Sequence, residues 1–241
     1  MSTCKFKPVT HVLFDLDGLL LDTETLYSKA TNVLAARYGK VYTMKEKVKV
    51  MGKTGLDAAR SIVELCGLPI TAEQYQQEME PIFQEVFSNV DFMPGARRLI
   101  RHLHQHKIPM AIATSSGTKN YEIKTKKYPE IFKSGKYFHH IVVASGDPEI
   151  THGKPHPQTF LVCAKRFDPP VDPSKALVFE DSVNGVKGAI AAGMQCVQVP
   201  DPELLQYESA EPTLVIDSLL NFKPELFGLP EFDSNCPDEL P

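Results

Sequence analysis

The sequence lacks the cysteine pattern of a disulfide framework or a zinc ribbon: its five cysteines are odd in number, scattered, and include no CxxC pair. That argues against a disulfide framework or a structural zinc site, and it fits a reducing compartment, so a cytoplasmic location is expected. Positive charge is not in excess either. With a formal net charge of -4 and a pI near 6.1, no global field draws polyanions, so neither a nucleic-acid polymer nor a membrane surface is expected as a partner. No apolar run approaches the roughly 18 residues of a membrane span. The short polar stretch 1–7 does not read as a signal peptide. Internal repeats and low-complexity tracts are missing as well.

What the chain does have is alternation. Its 241 residues, 42% hydrophobic and 23% charged, suffice for one large or two modest domains with a sizeable core. The run His11-Val12-Leu13-Phe14 is apolar and stops at Asp15, as a buried parallel strand would. Similar runs recur at 109–113, 140–144, 176–179 and 195–199, with a weaker one at 213–216. Helical patterns separate them, at 96–106 with Leu99, Ile100 and Leu103 on one face, and at 183–192 between the candidate caps Asp181-Ser182 and Gly193. The alternation predicts an α/β fold, a Rossmann-like parallel sheet, whose ligands bind at the carboxyl ends of the strands.

One stretch breaks the pattern. From about 25 to 92 the periodicity is helical, as in 58–65 and 73–87, the latter with an expected break or kink at Pro81. This reads as an inserted all-helical cap domain over residues 23–93, with hinges near 20–23 and 91–95. The core domain is then 1–22 with 94–230, and 231–241 is a loose acidic tail.

Four motifs fall at or just beyond predicted strand ends. Asp15 and Asp17, in Asp15-Leu16-Asp17-Gly18, supply two carboxylates; the first could attack phosphorus and the second could serve as acid and base. A calcium loop or plain turn is the competing reading. Thr114-Ser115-Ser116-Gly117 offers hydroxyls and amides as an anion seat, or an ordinary helix cap. Lys154, between Gly153 and Pro155, could neutralise both a carboxylate and a phosphate, or be a solvated lysine. Glu180 and Asp181 end the fourth strand and could bind a cation, or cap the next helix. Together they supply nucleophile, acid, anion seat, cation and metal ligands on one side of one sheet.

In order and context, Asp15-x-Asp17-Gly18, Thr114, Lys154 and Glu180-Asp181 resemble the haloacid dehalogenase-like hydrolases, over about residues 10–228. The resemblance implies a phosphatase with Asp15 as nucleophile, Asp17 as acid/base, and Thr114, Ser115 and Lys154 on the phosphate. It also implies Mg²⁺ as cofactor, on Asp15, Asp181, Glu180 and the Asp17 carbonyl oxygen. The expected substrate is a small phosphorylated metabolite, with further stretches such as Met51-Gly52-Lys53 and Asp147-Pro148-Glu149 resembling a nucleoside-monophosphate phosphatase branch. A sugar- or glycerol-phosphate phosphatase, a phosphosugar mutase, and a catalytically silent partner-binding scaffold are the alternatives. No histidine occurs in residues 22–30, where mutases of this branch carry one. Gly52, Lys53 and Thr54 are candidate substrate contacts in the cap, or simply a surface loop. His156 departs from the usual residue in the Lys-Pro loop, and Gln158 replaces a frequent acid. His102 and His106, and the group Lys124, Lys126 and Lys127, read as solvated surface.

Overall fold

The computed structural model describes residues 4–50, 55–133, 135–202 and 210–233. It divides into two units, one running to Leu21 and resuming at Phe92, the other spanning Asp22–Asp91.

The strands are His11–Phe14 (β1), Met110–Thr114 (β2), His140–Val143 (β3), Ala176–Glu180 (β4), Gln195–Gln198 (β5) and Leu214–Val215 (β6). The α-helices are Glu24–Arg37 (α1), Met44–Val50 (α2), Gly55–Cys66 (α3), Ala72–Phe87 (α4), Ala96–Gln105 (α5), Thr118–Thr125 (α6), Gln158–Lys165 (α7) and Val183–Ala191 (α8).

The first unit is built on one six-stranded sheet in the order β3-β2-β1-β4-β5-β6, with every pairing parallel. Parallel strands need both faces covered, so their sequences are continuously apolar rather than alternating. β2 and β4 are buried at every position. On one face Leu13, Ala113 and Val178 pack with Phe160 and Cys163 of α7 and Val186 and Ala189 of α8.

The strand order reverses beside β1, which pairs with β2 on one side and β4 on the other. Helices depart to opposite faces at such a point, and a crevice opens beyond the strand ends. Phe14 stands opposite Phe179 in this register. The residues that follow these two, Asp15 and Glu180, are therefore brought to the same edge of the sheet.

The second unit is helical. Ala30, Leu34, Ala59, Ile62, Tyr75, Met79 and Ile82 from α1, α3 and α4 form its core. Thr71 opens α4 through a capping box with Gln74, each side chain bonding the other's backbone N–H. Of the break or kink expected at Pro81, the break does not occur: α4 continues across it. Proline removes one helical hydrogen bond, but Met79, Ile82 and Val86 are buried around it and hold the helix to its neighbours.

Two other expectations are corrected. His102 is fully buried, its Nε2 lying 2.8 Å from the Pro230 carbonyl oxygen. The start of the supposed tail also packs: the Phe232 ring lies 4.5 Å from that of His102, and the Arg98 guanidinium stands 4.2 Å above it. Residues 234–241 lie outside the described residues. Among the described residues no helix is long and apolar enough to cross a membrane.

Candidate active site

Three strand ends meet on one ammonium group. Lys154 Nζ donates to Asp15 Oδ1 at 2.5 Å, to Glu180 Oε1 at 2.6 Å and to the Ala113 carbonyl oxygen at 2.9 Å. An ammonium has three donors, and here each finds an acceptor, from the ends of β1, β4 and β2. Lys154 follows Gly153 and is joined to Pro155 by a cis peptide bond. Its charge also lies 4.8 Å from the ring centroid of Phe160.

All three side chains are withdrawn from solvent, and burial acts on the acidities of Asp15 and Lys154. Burial pushes the Asp15 carboxyl up to about 7, and the charges of Glu180 and Asp17 add to that while Lys154 opposes it. For Lys154 burial acts to lower the value, but the two acids outweigh it and hold the ammonium protonated above the usual lysine range.

Asp17 is directed away from the strand by the turn at Gly18, whose φ of 74° is open to glycine at little strain. The Gly18 N–H donates to the Leu21 carbonyl at 2.9 Å and closes that turn. The Asp17 carboxylate is held on both oxygens: Lys124 Nζ donates to Oδ1 at 2.5 Å, and Ser116 Oγ donates to Oδ2 at 2.6 Å. Thr114 Oγ1 lies 3.4 Å from Oδ2 and accepts the Ser116 N–H at 3.1 Å.

On the other side, Glu180 does two tasks. Its second oxygen accepts from the Ser182 N–H at 3.1 Å and the Ser182 hydroxyl at 3.0 Å. Ser182 Oγ in turn accepts the Gly185 N–H and caps α8. The helix start comes so close that a Cβ at Gly185 would stand 1.9 Å from the Glu180 carboxyl group.

The chain matches the family described as "Haloacid dehalogenase-like hydrolase" over residues 12–199, which takes in every one of these groups. It belongs to the haloacid dehalogenase-like hydrolase family. A Drosophila melanogaster protein named "Probable pseudouridine-5'-phosphatase" is 47% identical over 96% of this chain and 99% of its own. An Arabidopsis thaliana "(DL)-glycerol-3-phosphatase 2" is 46% identical over 94% of this chain and 95% of its own. A putative β-phosphoglucomutase structure from Thermotoga maritima superposes with a TM-score of 0.68 at 28% identity, covering 86% of this chain and 94% of that one. Family membership and these relatives make the chain a phosphatase.

Of the site residues expected in this haloacid dehalogenase-like hydrolase, Asp15, Lys154 and Glu180 form one hydrogen-bonded group and Asp17 and Thr114 belong to a second. Asp181 follows Glu180 directly and is half-buried, its carbonyl oxygen accepting from Gln198 Nε2 at 3.3 Å. Ser115 is half-buried and enters none of these hydrogen bonds. Gly52, Lys53 and Thr54 lie outside the described residues. Gln158 fastens the loop before Lys154. Its side-chain oxygen accepts the N–H groups of Thr151 and His152, each at 3.0 Å, and its amide donates to the Glu149 carbonyl at 2.7 Å.

The sequence did not point to two contacts of Asp17. Ser116 and Lys124 both contact Asp17, and Lys124 is fully buried rather than part of a solvated basic patch. The only sequence signal is its position on α6, and there Ile123 is the apolar residue that would be expected to turn inward.

The donor set suits Mg²⁺. Its ligands would be oxygens from Asp15, Asp181, the Asp17 carbonyl and Glu180, the last already committed to Lys154 and Ser182. Among the described residues no three acidic, histidine or cysteine side chains form a ready metal cage. Mg²⁺ does not require one, since it is commonly held by one or two carboxylates and several waters. Burial, with the charges of Glu180 and Asp17 added, makes Asp15 a weaker acid than usual, and a divalent cation beside it would favour its ionised form.

Proposed function

We propose that this phosphatase hydrolyses small phosphomonoesters through an aspartyl-phosphate on Asp15, and that pseudouridine 5'-phosphate is its preferred substrate. The observation that carries the chemistry is the Lys154 ammonium bonded at once to Asp15 and Glu180, at 2.5 and 2.6 Å. It keeps a buried carboxylate available as a nucleophile and places a positive charge where phosphate oxygens would gather.

In the first half-reaction Asp15 Oδ bonds to phosphorus as the ester P–O bond breaks. The departing oxygen takes its proton from Asp17. In the second, Asp17 accepts a proton from water, the water oxygen bonds to phosphorus, and the Asp15–phosphorus bond breaks to free phosphate. Thr114, Ser115 and Lys154 hold the equatorial oxygens. A bound Mg²⁺ would supply charge neutralisation for the phosphate and Asp15.

The substrate assignment rests on relatedness, 47% identity to the Drosophila protein along nearly the whole chain. The Arabidopsis glycerol-3-phosphatase stands almost as near, at 46%, and glycerol 3-phosphate is therefore the second reading. A partner-binding scaffold would have no chemical use for Asp15 and Asp17 together. The compartment is the cytoplasm on this account, in keeping with the unpaired thiols of Cys4, Cys66, Cys163 and Cys196.

The test is phosphate release with Mg²⁺ from a panel of pseudouridine 5'-phosphate, uridine 5'-phosphate, glycerol 3-phosphate and hexose phosphates, with Asp15→Asn as control. The highest kcat/KM should belong to pseudouridine 5'-phosphate. A higher value for glycerol 3-phosphate selects the second reading, and equal inactivity of wild type and Asp15→Asn discards the enzyme.

A further inference from the structure

Lys124 is the least expected residue in the molecule. A lysine with no solvent exposure is expensive unless its charge is paired and its donors are used. Here the ammonium donates to Asp17 Oδ1 at 2.5 Å and to Ser116 Oγ at 2.8 Å, while Ser116 Oγ donates to Asp17 Oδ2 at 2.6 Å. The three groups close a ring. A carboxylate with both oxygens engaged by separate donors cannot rotate about its terminal bond without breaking one of them.

The ring is itself anchored. Ser116 is fixed by its N–H to Thr114 Oγ1 at 3.1 Å and by its carbonyl, which accepts from Ser145 Oγ at 2.7 Å. Lys124 is carried by α6, which starts directly after Gly117. Asp17 itself sits in a loop turn outside β1, where its backbone alone would leave the side chain several rotamers.

We infer that Lys124 and Ser116 are positioning residues for Asp17, fixing the carboxyl group at the angle from which it protonates the departing oxygen. The inference rests on the proposed acid/base role of Asp17. It predicts a penalty that depends on the leaving group. An alkoxide must be protonated as its P–O bond breaks, whereas p-nitrophenolate leaves stably without a proton. A misaligned acid therefore harms the first reaction and spares the second.

The measurement is kcat/KM, which reports only steps through departure of the alcohol and excludes the later hydrolysis common to both substrates. Lys124→Met keeps the length and apolar stem but removes the charge. For an alkyl phosphate such as glycerol 3-phosphate it should lower kcat/KM about 100-fold, the scale of general acid catalysis. For p-nitrophenyl phosphate the loss should stay within a few-fold. Ser116→Ala, which keeps Lys124 buried against Asp17, should show the same contrast at smaller size. It decides the matter if Lys124→Met does not fold by circular dichroism.

Equal losses on the two esters, or no loss on either, overturn the positioning role while leaving the phosphatase intact. Failure of the acid/base reading itself has a different signature, an Asp17→Asn enzyme that retains wild-type kcat/KM on the alkyl ester.

Discussion

Glu180 Oε1 lies 2.6 Å from Lys154 Nζ, and neither side chain is open to solvent beyond 5%. This contact makes β4 the support of a charge that works at the end of β1. Replacing Glu180 by Gln leaves Lys154 paired with Asp15 alone. Breaking a buried ion pair destabilises by about 3 kcal/mol, so a clear fall in Tm is expected at neutral pH. Removing the Glu180 charge also removes one of the influences that raise Asp15. The Asp15 titration, followed by carboxyl carbon NMR in metal-free protein, should move below its wild-type midpoint.

Gly185 gives the same contact a steric test. Alanine in a helix is ordinarily better than glycine by about 1 kcal/mol. At this position its Cβ would stand 1.9 Å from the Glu180 carboxyl group, and displacing a buried group costs about 1–3 kcal/mol. Gly185→Ala should therefore lower stability, with an accompanying drop in kcat as Lys154 loses its alignment. Calorimetry and steady-state rates check both. A stabilised variant would show that α8 yields easily.

The pH dependence of stability follows from Asp15. Its carboxyl is raised from 3.8 to about 7 in the folded protein, so between those values the native state binds more protons than the unfolded chain. Stability from this group is then greatest at low pH and is lost as pH rises through 7. Metal-free protein should show a Tm contribution that falls from pH 5 to pH 8, and Asp15→Asn should abolish that part of the slope. Mg²⁺ binding should raise Tm of the wild type at pH 8 and raise that of Asp15→Asn much less.

Asp17→Asn should act on rate and on structure. Loss of the acid lowers kcat by about 10²–10⁴ with KM little changed. It also strands the Lys124 ammonium beside a neutral amide, so Tm should fall as well, and the double variant Asp17→Asn/Lys124→Met should recover part of that Tm. Recovery of stability without recovery of rate is the expected result of the cycle.

Much of this site was legible because buried parallel strands write themselves as apolar runs. His11–Phe14 and Ala176–Glu180 stop at acids, and the parallel arrangement brings those acids to one edge. Lys154 stood out through its glycine and proline neighbours. Lys124 did not, because lysine is ordinarily a surface residue and its partner Asp17 is distant in sequence. The same holds for His102, whose buried ring depends on the Pro230 carbonyl, far along the chain. At Pro81 the helix does not break, because the local rule against proline in a helix is offset by the packing of Met79, Ile82 and Val86. Local pattern carries the strand ends, and contacts between distant segments carry the rest.

The proposed reaction requires a covalent bond between Asp15 and phosphorus. Asp17→Asn protein, slowed in releasing phosphate, should be incubated with Mg²⁺ and p-nitrophenyl phosphate, quenched in acid, digested and examined by mass spectrometry. One phosphoryl group on the peptide containing Asp15, absent from Asp15→Asn, is the predicted result. An unmodified Asp15 peptide, from an enzyme that turns over the same ester, would contradict it.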